Sequence, residues 1–278
     1  MALPPTPEGV GFRAVNAMNS MMHAIELQEK RLWKVFMNQG QKIFSVIHLP
    51  QDQEHPPLIV IMHGFASHKV GTGRSYVRIA EALVKAGFGV LRFDFRGCGD
   101  SQGQLSEMGL EELISDASLV THSLREEGFQ KIGFFGSSLG GSISILTAAR
   151  LKIASAIAVW APVASGSLWV ADYLKSHPEN SLDTMRGVHL SAQFQEQFLK
   201  MDASKTVEEL TGVPLLHFQG EQDETLSIKH QALFAEARKK STSFSRFITY
   251  PETGHWLGLA NIFPQVVDEL IYFYQNHL

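Results

Sequence analysis

The chain predicts an α/β fold with a mainly parallel central sheet, helices on both faces and an inserted cap. Three observations carry that reading. Short runs of apolar and β-branched residues alternate with longer segments whose apolar residues recur at helical spacing. Runs such as Leu58 to Met62 are apolar throughout, as expected of strands covered on both faces. The alternation then breaks once, between about residues 165 and 211, and resumes.

Residues 1–31 read as an appendage. After a proline-rich start, Ala14, Val15, Ala17, Met18, Met21, Met22 and Ile25 recur at helical spacing, which predicts a helix packed on the main body; a partner or a membrane surface is the alternative, although the polar face is not basic enough to favour lipid. The main domain, residues 32–278, opens with a hairpin: strands over 32–37 and 43–49, joined by a turn at Asn38, Gln39 and Gly40. A buried strand over 58–62 follows, then a helix over 76–86 closed by Gly87 and a strand over 89–93. Further helices are expected at 110–125, 142–150, 227–239 and 263–274, and further strands at 132–135, 153–160, 213–219 and 244–250. The interrupting segment carries Trp169, Tyr173, Phe194 and Phe198 among polar residues, with a short strand-like patch at 188–190. An insertion of this size between core strands is expected to cover a site, with Trp169, Phe194 and Phe198 as substrate-contacting candidates.

Composition narrows the function classes. Of 278 residues, 44% are hydrophobic and 19% charged, which is ordinary for a chain with a large core. The formal net charge of −4, with no run of Lys and Arg, argues against nucleic acid as the main partner. A single cysteine, Cys98, excludes an internal disulfide framework. No stretch reaches the ~18 apolar residues of a membrane span. The amino terminus lacks the basic start and apolar run of a secretory signal, so the expected location is cytoplasmic. Assembly as a homodimer stays open.

The sharpest feature is Gly136-Ser137-Ser138-Leu139-Gly140. An apolar run leads into it and a helical pattern leads out, so the serine sits on a tight turn between strand and helix. A serine held in a strained turn presents its hydroxyl only if the residues two before and two after carry no colliding Cβ. Such a hydroxyl becomes a nucleophile when a base lies within hydrogen-bond reach and an acid orients that base.

On an elbow of this kind the acid and base follow the serine in chain order, in loops after later strands. Gly220-Glu221-Gln222-Asp223-Glu224 follows the strand at 213–219, and Thr253-Gly254-His255-Trp256 follows the strand at 244–250. Asp223 is the preferred acid, at the loop apex with the shorter side chain; Glu221 and Glu224 are its rivals. His255 is the preferred base. His63 precedes the elbow and so stands in the wrong order for that role, although His63-Gly64-Phe65 can build an oxyanion hole. The donors expected are the backbone N–H groups of Phe65 and Leu139. Asp94 also precedes the elbow and reads as a structural acid that holds loops together with Arg96. Cys98, beside glycines and without a neighbouring base, reads as inert packing.

The blocks Met62 to Phe65, Leu91 to Gly97, Gly136 to Gly141, Gly220 with Asp223, and Gly254-His255 resemble, in this order, the α/β-hydrolase superfamily. The nearest likeness is to bacterial carboxylesterases similar to cinnamoyl (feruloyl) esterases and to monoglyceride-lipase-like serine hydrolases. It covers about residues 32–275. The resemblance implies a Ser138–His255–Asp223 triad, oxyanion donors at Phe65 and Leu139, a cap that forms the acyl or aryl pocket, a small-molecule ester as substrate, and no metal or organic cofactor. Acyl-CoA thioesterases, lysophospholipases and monoglyceride lipases use the same groups. A peptidase is disfavoured for want of an evident acidic pair to hold a substrate amino terminus, and a non-catalytic binding protein is the rival from another class. Many relatives carry His immediately before the nucleophile, whereas this chain has Ser137, which shifts the hydrogen bonding of the elbow.

Overall fold

The computed structural model describes residues 29–177, 183–185 and 187–278. The helix expected within residues 1–31 lies outside the described residues up to position 28. Ten strands are described: β1 (Glu29–Asn38), β2 (Gln41–Pro50), β3 (Leu58–Met62), β4 (Gly89–Phe93), β5 (Ile132–Ser137), β6 (Ala154–Trp160), β7 (Thr184–Met185), β8 (Val188–His189), β9 (Leu215–Gly220) and β10 (Ser245–Tyr250). The helices are α1 (Ser75–Lys85), α2 (Leu110–Glu126), α3 (Leu139–Leu151), α4 (Gly166–Ser176), α5 (Ala192–Lys200), α6 (Ala203–Glu209), α7 (Lys229–Arg238) and α8 (Phe263–His277).

Eight strands form one sheet in the order β1-β2-β4-β3-β5-β6-β9-β10. The β1–β2 and β2–β4 pairs are antiparallel, and every pair from β4 to β10 is parallel. The parallel strands point their carboxyl ends to one edge, where open α/β sheets place their sites. Strands β3, β4 and β9 are buried along their whole length; β3 is accordingly apolar throughout, and the polar side chains of β4 and β9, Arg92, His217 and Gln219, are themselves buried. The core is rich in rings, with Phe93, Phe134, Phe135, Trp160, Phe218 and Tyr274 almost fully buried.

The hairpin is longer than its apolar pattern suggested. Pairing begins at Glu29 opposite Pro50, so the boundary expected between residues 31 and 32 falls inside β1. Glu29, Lys30 and Arg31 show no strand-like periodicity, but backbone pairing needs none, and Arg31 is held by Glu29 and Glu81. The helix after the elbow begins directly at Leu139, three residues earlier than expected, with both of its glycines inside the first turn.

Residues 165–211 are more regular than a loop insertion. They hold α4, the small β7–β8 hairpin, α5 and α6. Three of the helix starts are capped by side chains, Ser165 accepting from Leu168 N–H, Ser191 from Phe194 N–H, and Asp202 from Lys205 N–H.

Candidate active site

Ser138 sits between the end of β5 and the start of α3, with φ 53° and ψ −129°. A non-glycine residue in this conformation is strained and needs surrounding structure to hold it. Part of that hold is the Ser138 N–H, which donates to the Trp160 carbonyl at 2.8 Å. The flanking glycines are required by close approach. A Cβ on Gly136 would overlap the Gly140 carbonyl and the Ser144 hydroxyl, and one on Gly140 would overlap the carbonyls of Met62 and His63. The amino end of the 13-residue α3 opens immediately after Ser138, so its unpaired N–H groups and the positive end of its dipole face the site.

Asp223 lies just past β9 and His255 just past β10. His255 Nδ1 stands 2.8 Å from Asp223 Oδ2, and both side chains are almost fully buried. The carboxylate is held on all sides. Oδ1 accepts from the N–H of Thr225 at 2.9 Å and of Leu226 at 2.7 Å, while Oδ2 also accepts from Gln219 Nε2 at 3.0 Å. The two loops are tied to each other. Glu221 N–H donates to Tyr250 O and Gln222 N–H to Thr253 O, each at 3.0 Å. Trp160 Nε1 reaches across from β6 to the His255 carbonyl at 2.8 Å. Of the rival acids, Glu224 accepts from the His255 backbone N–H at 3.2 Å rather than from its ring, and Glu221 is exposed.

Ser138, Asp223 and His255 all line one cavity of about 740 Å³. Phe65 and Leu139 line it as well. The lining includes hydroxyls from Ser67, Thr72, Ser75, Tyr76 and Ser137 and apolar side chains from Trp160, Val163, Trp169, Met185 and Phe198. Trp169 and Phe198 therefore reach the cavity, but Phe194 does not. Its ring is 1% exposed and packs behind the wall, stacked on Phe198 at 5.7 Å and tilted against Phe65 at 5.6 Å.

His63 is a structural element of the loop. Its Nδ1 is 2.8 Å from the Gly64 carbonyl and its Nε2 accepts from Phe95 N–H at 3.1 Å, an arrangement that fits a neutral ring with the proton on Nδ1. Burial pushes its pKa down to about 4, which keeps it neutral. Asp94 is also structural, but its partner is not Arg96. Its carboxylate accepts from the backbone N–H and the ammonium of Lys69, each at 2.5 Å, and from Asp100 N–H at 2.9 Å. Arg96 instead forks onto the buried Asp116, with Nε 2.9 Å and Nη2 2.6 Å from Oδ1. The sequence carried no signal for either exchange, because Lys69 and Asp116 lie in other loops and helices. Cys98 is buried and its thiol is pushed up to about 12 by burial and by the charges of Asp94 and Asp116, so it stays protonated and unreactive. Among the cavity residues that were not expected are Tyr76 and Lys229. The latter pairs with Asp172 at the cavity wall.

Comparison with known proteins agrees with this architecture. Residues 53–175 match the family described as serine aminopeptidase, S33. The structure of Est1E from Butyrivibrio proteoclasticus with bound ferulic acid superposes with a TM-score of 0.74 at 22% identity, covering 88% of this chain and 98% of that one. The chain has the fold of the α/β-hydrolases. The human protein ABHD12B is 33% identical over 120 residues, which is 41% of this chain and 31% of the relative. The lysophosphatidylserine lipase ABHD12 of Danio rerio is 33% identical over 100 residues, 36% of this chain and 25% of the relative. The chain thus spans a quarter to a third of the length of these two curated relatives. Among the described residues, no helix is long and apolar enough to cross a membrane.

Proposed function

We propose that this α/β-hydrolase is a serine hydrolase that cleaves carboxylic esters of small molecules through an acyl-enzyme. The observation that carries the reading is the oriented His255–Asp223 pair, which lines the same cavity as a serine on a strained turn. In this mechanism His255 Nε2 takes the Ser138 proton as Oγ attacks the ester carbonyl, while Asp223 holds the proton of the other ring nitrogen and stabilises the imidazolium. The N–H groups of Phe65 and Leu139 receive the oxyanion, the second aided by the α3 dipole. His255 then protonates the departing alcohol, and water attacks the acyl-enzyme by the same route in reverse. No step calls on a metal or an organic cofactor.

The name of the matched family raises a peptidase reading. Besides Asp223, two acids, Asp172 and Glu224, line the cavity, and each is engaged. Asp172 accepts from Ser227 Oγ at 2.8 Å and Lys229 Nζ at 3.0 Å, and Glu224 accepts from the His255 N–H. Among the described residues that line the cavity, that leaves no uncommitted acidic pair for a substrate ammonium, which supports the ester. An acyl thioester or a lysophospholipid presents the same carbonyl to the same groups.

The test is labelling with a fluorophosphonate, followed by turnover of p-nitrophenyl esters, acyl-CoAs and aminoacyl p-nitroanilides. Labelling that depends on Ser138, with ester turnover well above anilide turnover, is the expected result. An absence of labelling in the folded protein makes it a non-catalytic member of the fold, and anilide turnover in the lead makes it a peptidase.

A further inference from the structure

Tyr76 is a buried titratable group in the cavity that the mechanism above does not use. Its side chain is 5% exposed, at the start of α1, and its N–H donates to the Val70 carbonyl at 3.2 Å, which closes the loop running from the end of β3. The hydroxyl lies 2.5 Å from Ser137 Oγ. Tyr76 therefore ties two segments that come from different strands, residue 137 at the end of β5 through its hydroxyl and the Gly64–Val70 loop beyond β3 through its backbone.

Those two segments flank the reacting atoms. Ser137 is bonded directly to Ser138. Gly64 approaches Ser138 so closely that a Cβ there would stand 3.1 Å from Ser138 Cβ and 3.7 Å from its Oγ. Gly64 also precedes Phe65, and Ser138 precedes Leu139. Any change in the separation of residues 64 and 137 changes the separation of the two N–H donors that meet the oxyanion. Oxyanion donors act by preorganisation, and a displacement of a few tenths of an ångström weakens both hydrogen bonds.

We propose that Tyr76 is a positioning residue for the oxyanion hole, its hydroxyl and backbone together clamping the Gly64–Val70 loop to Ser137 beside the nucleophile. The clamp rests on the serine-hydrolase reading and adds a residue to it. It also gives Ser137 a task. A hydroxyl is short enough to sit between Ser138 and the phenol and can both donate and accept, whereas Ala would leave the buried Tyr76 oxygen without that partner. Burial raises the Tyr76 pKa, so the phenol stays protonated and remains a donor across the working range of a histidine base.

The experiment is a double-mutant cycle on Tyr76→Phe and Ser137→Ala, with p-nitrophenyl acetate kinetics normalised to the fraction of protein labelled by fluorophosphonate. Each single variant is expected to lower kcat by about five- to tenfold with KM changed less than about twofold, since the loss falls on the transition state. The double variant should be no worse than the poorer single one, because both changes remove the same bond. Thermal unfolding run in parallel should stay within about 2 °C of the parent. If Tyr76→Phe keeps the parent kcat per labelled site, or if the two losses multiply, the clamp is wrong while the serine-hydrolase reading stands. Should Tyr76→Phe fold poorly, Ser137→Ala alone decides, because it breaks the bond from the other side. A parent protein without Ser138-dependent labelling overturns both proposals.

Discussion

His255 Nδ1 and Asp223 Oδ2 lie 2.8 Å apart across 32 positions of sequence, joined by the parallel pairing of β9 with β10. Because Tyr250 pairs with Gly220, the two strands end level and their following loops rise side by side. Three further donors fix the carboxylate, so its orientation does not depend on the histidine it faces.

Replacing that acid tests the relationship. Asp223→Asn is expected to lower kcat by about 10²- to 10⁴-fold, because an amide that donates to Nδ1 imposes the wrong tautomer on His255. Steady-state kinetics on the folded variant check this. Near-normal turnover would transfer the role to another acid, with Glu224 the first candidate from its place beside His255.

Ser138→Ala should lower ester turnover by about 10⁴-fold or more and leave thermal unfolding close to that of the parent. Ser137→Ala should retain about a tenth or more of the activity. Exchange of these two outcomes would mean that the elbow presents the other serine.

The two kinds of aromatic residue in the inserted segment should behave differently. Trp169→Ala and Phe198→Ala, which alter the cavity wall, are expected to reorder turnover among butyrate, octanoate and hydroxycinnamate esters. Acetate should stay within about tenfold, since a lost apolar contact is worth ~1–3 kcal/mol. Phe194→Ala removes a fully buried ring behind that wall and should cost about 3–5 kcal/mol of stability. Ester-panel kinetics and urea unfolding separate the two. A uniform fall for every ester in the wall variants would mean that the insert positions the reacting groups.

Stability should decline in mild acid for a specific reason. Burial lowers the pKa of His48 and His217 to about 3 and of His63 and His230 to about 4, against about 6.5 for a free imidazole. Below pH ~6.5 the unfolded chain takes up protons that the folded chain refuses, so stability is full above that pH and falls as pH drops toward 4. Urea unfolding at pH 7, 6 and 5 should show a progressive loss, and His217→Phe, whose ring would sit between Phe234 and Phe247, should flatten it by about one proton. A pH-independent midpoint over this range would contradict the burial of these rings.

Much of the architecture was legible because it is written in local periodicity. A continuous apolar run marked β3, and the glycine spacing around Ser138 marked the turn, since a Cβ at Gly136 or Gly140 has nowhere to go. The order of serine, acid and histidine along the chain, each placed just after an expected strand, was enough to bring three distant residues to one cavity. These features depend on each residue and its near neighbours, or on chain order alone.

What only the tertiary structure decided are the pairings between side chains from different elements. Asp94 met Lys69 rather than Arg96, Arg96 met Asp116, Tyr76 met Ser137, and Phe194 turned behind the wall that Trp169 and Phe198 line. Each of these depends on which strands are neighbours and how far one loop rises beside another. Periodicity shows that a side chain faces inward or outward, but a buried charge or hydroxyl takes the partner that packing brings within about 3 Å, and that distance is set by the whole sheet.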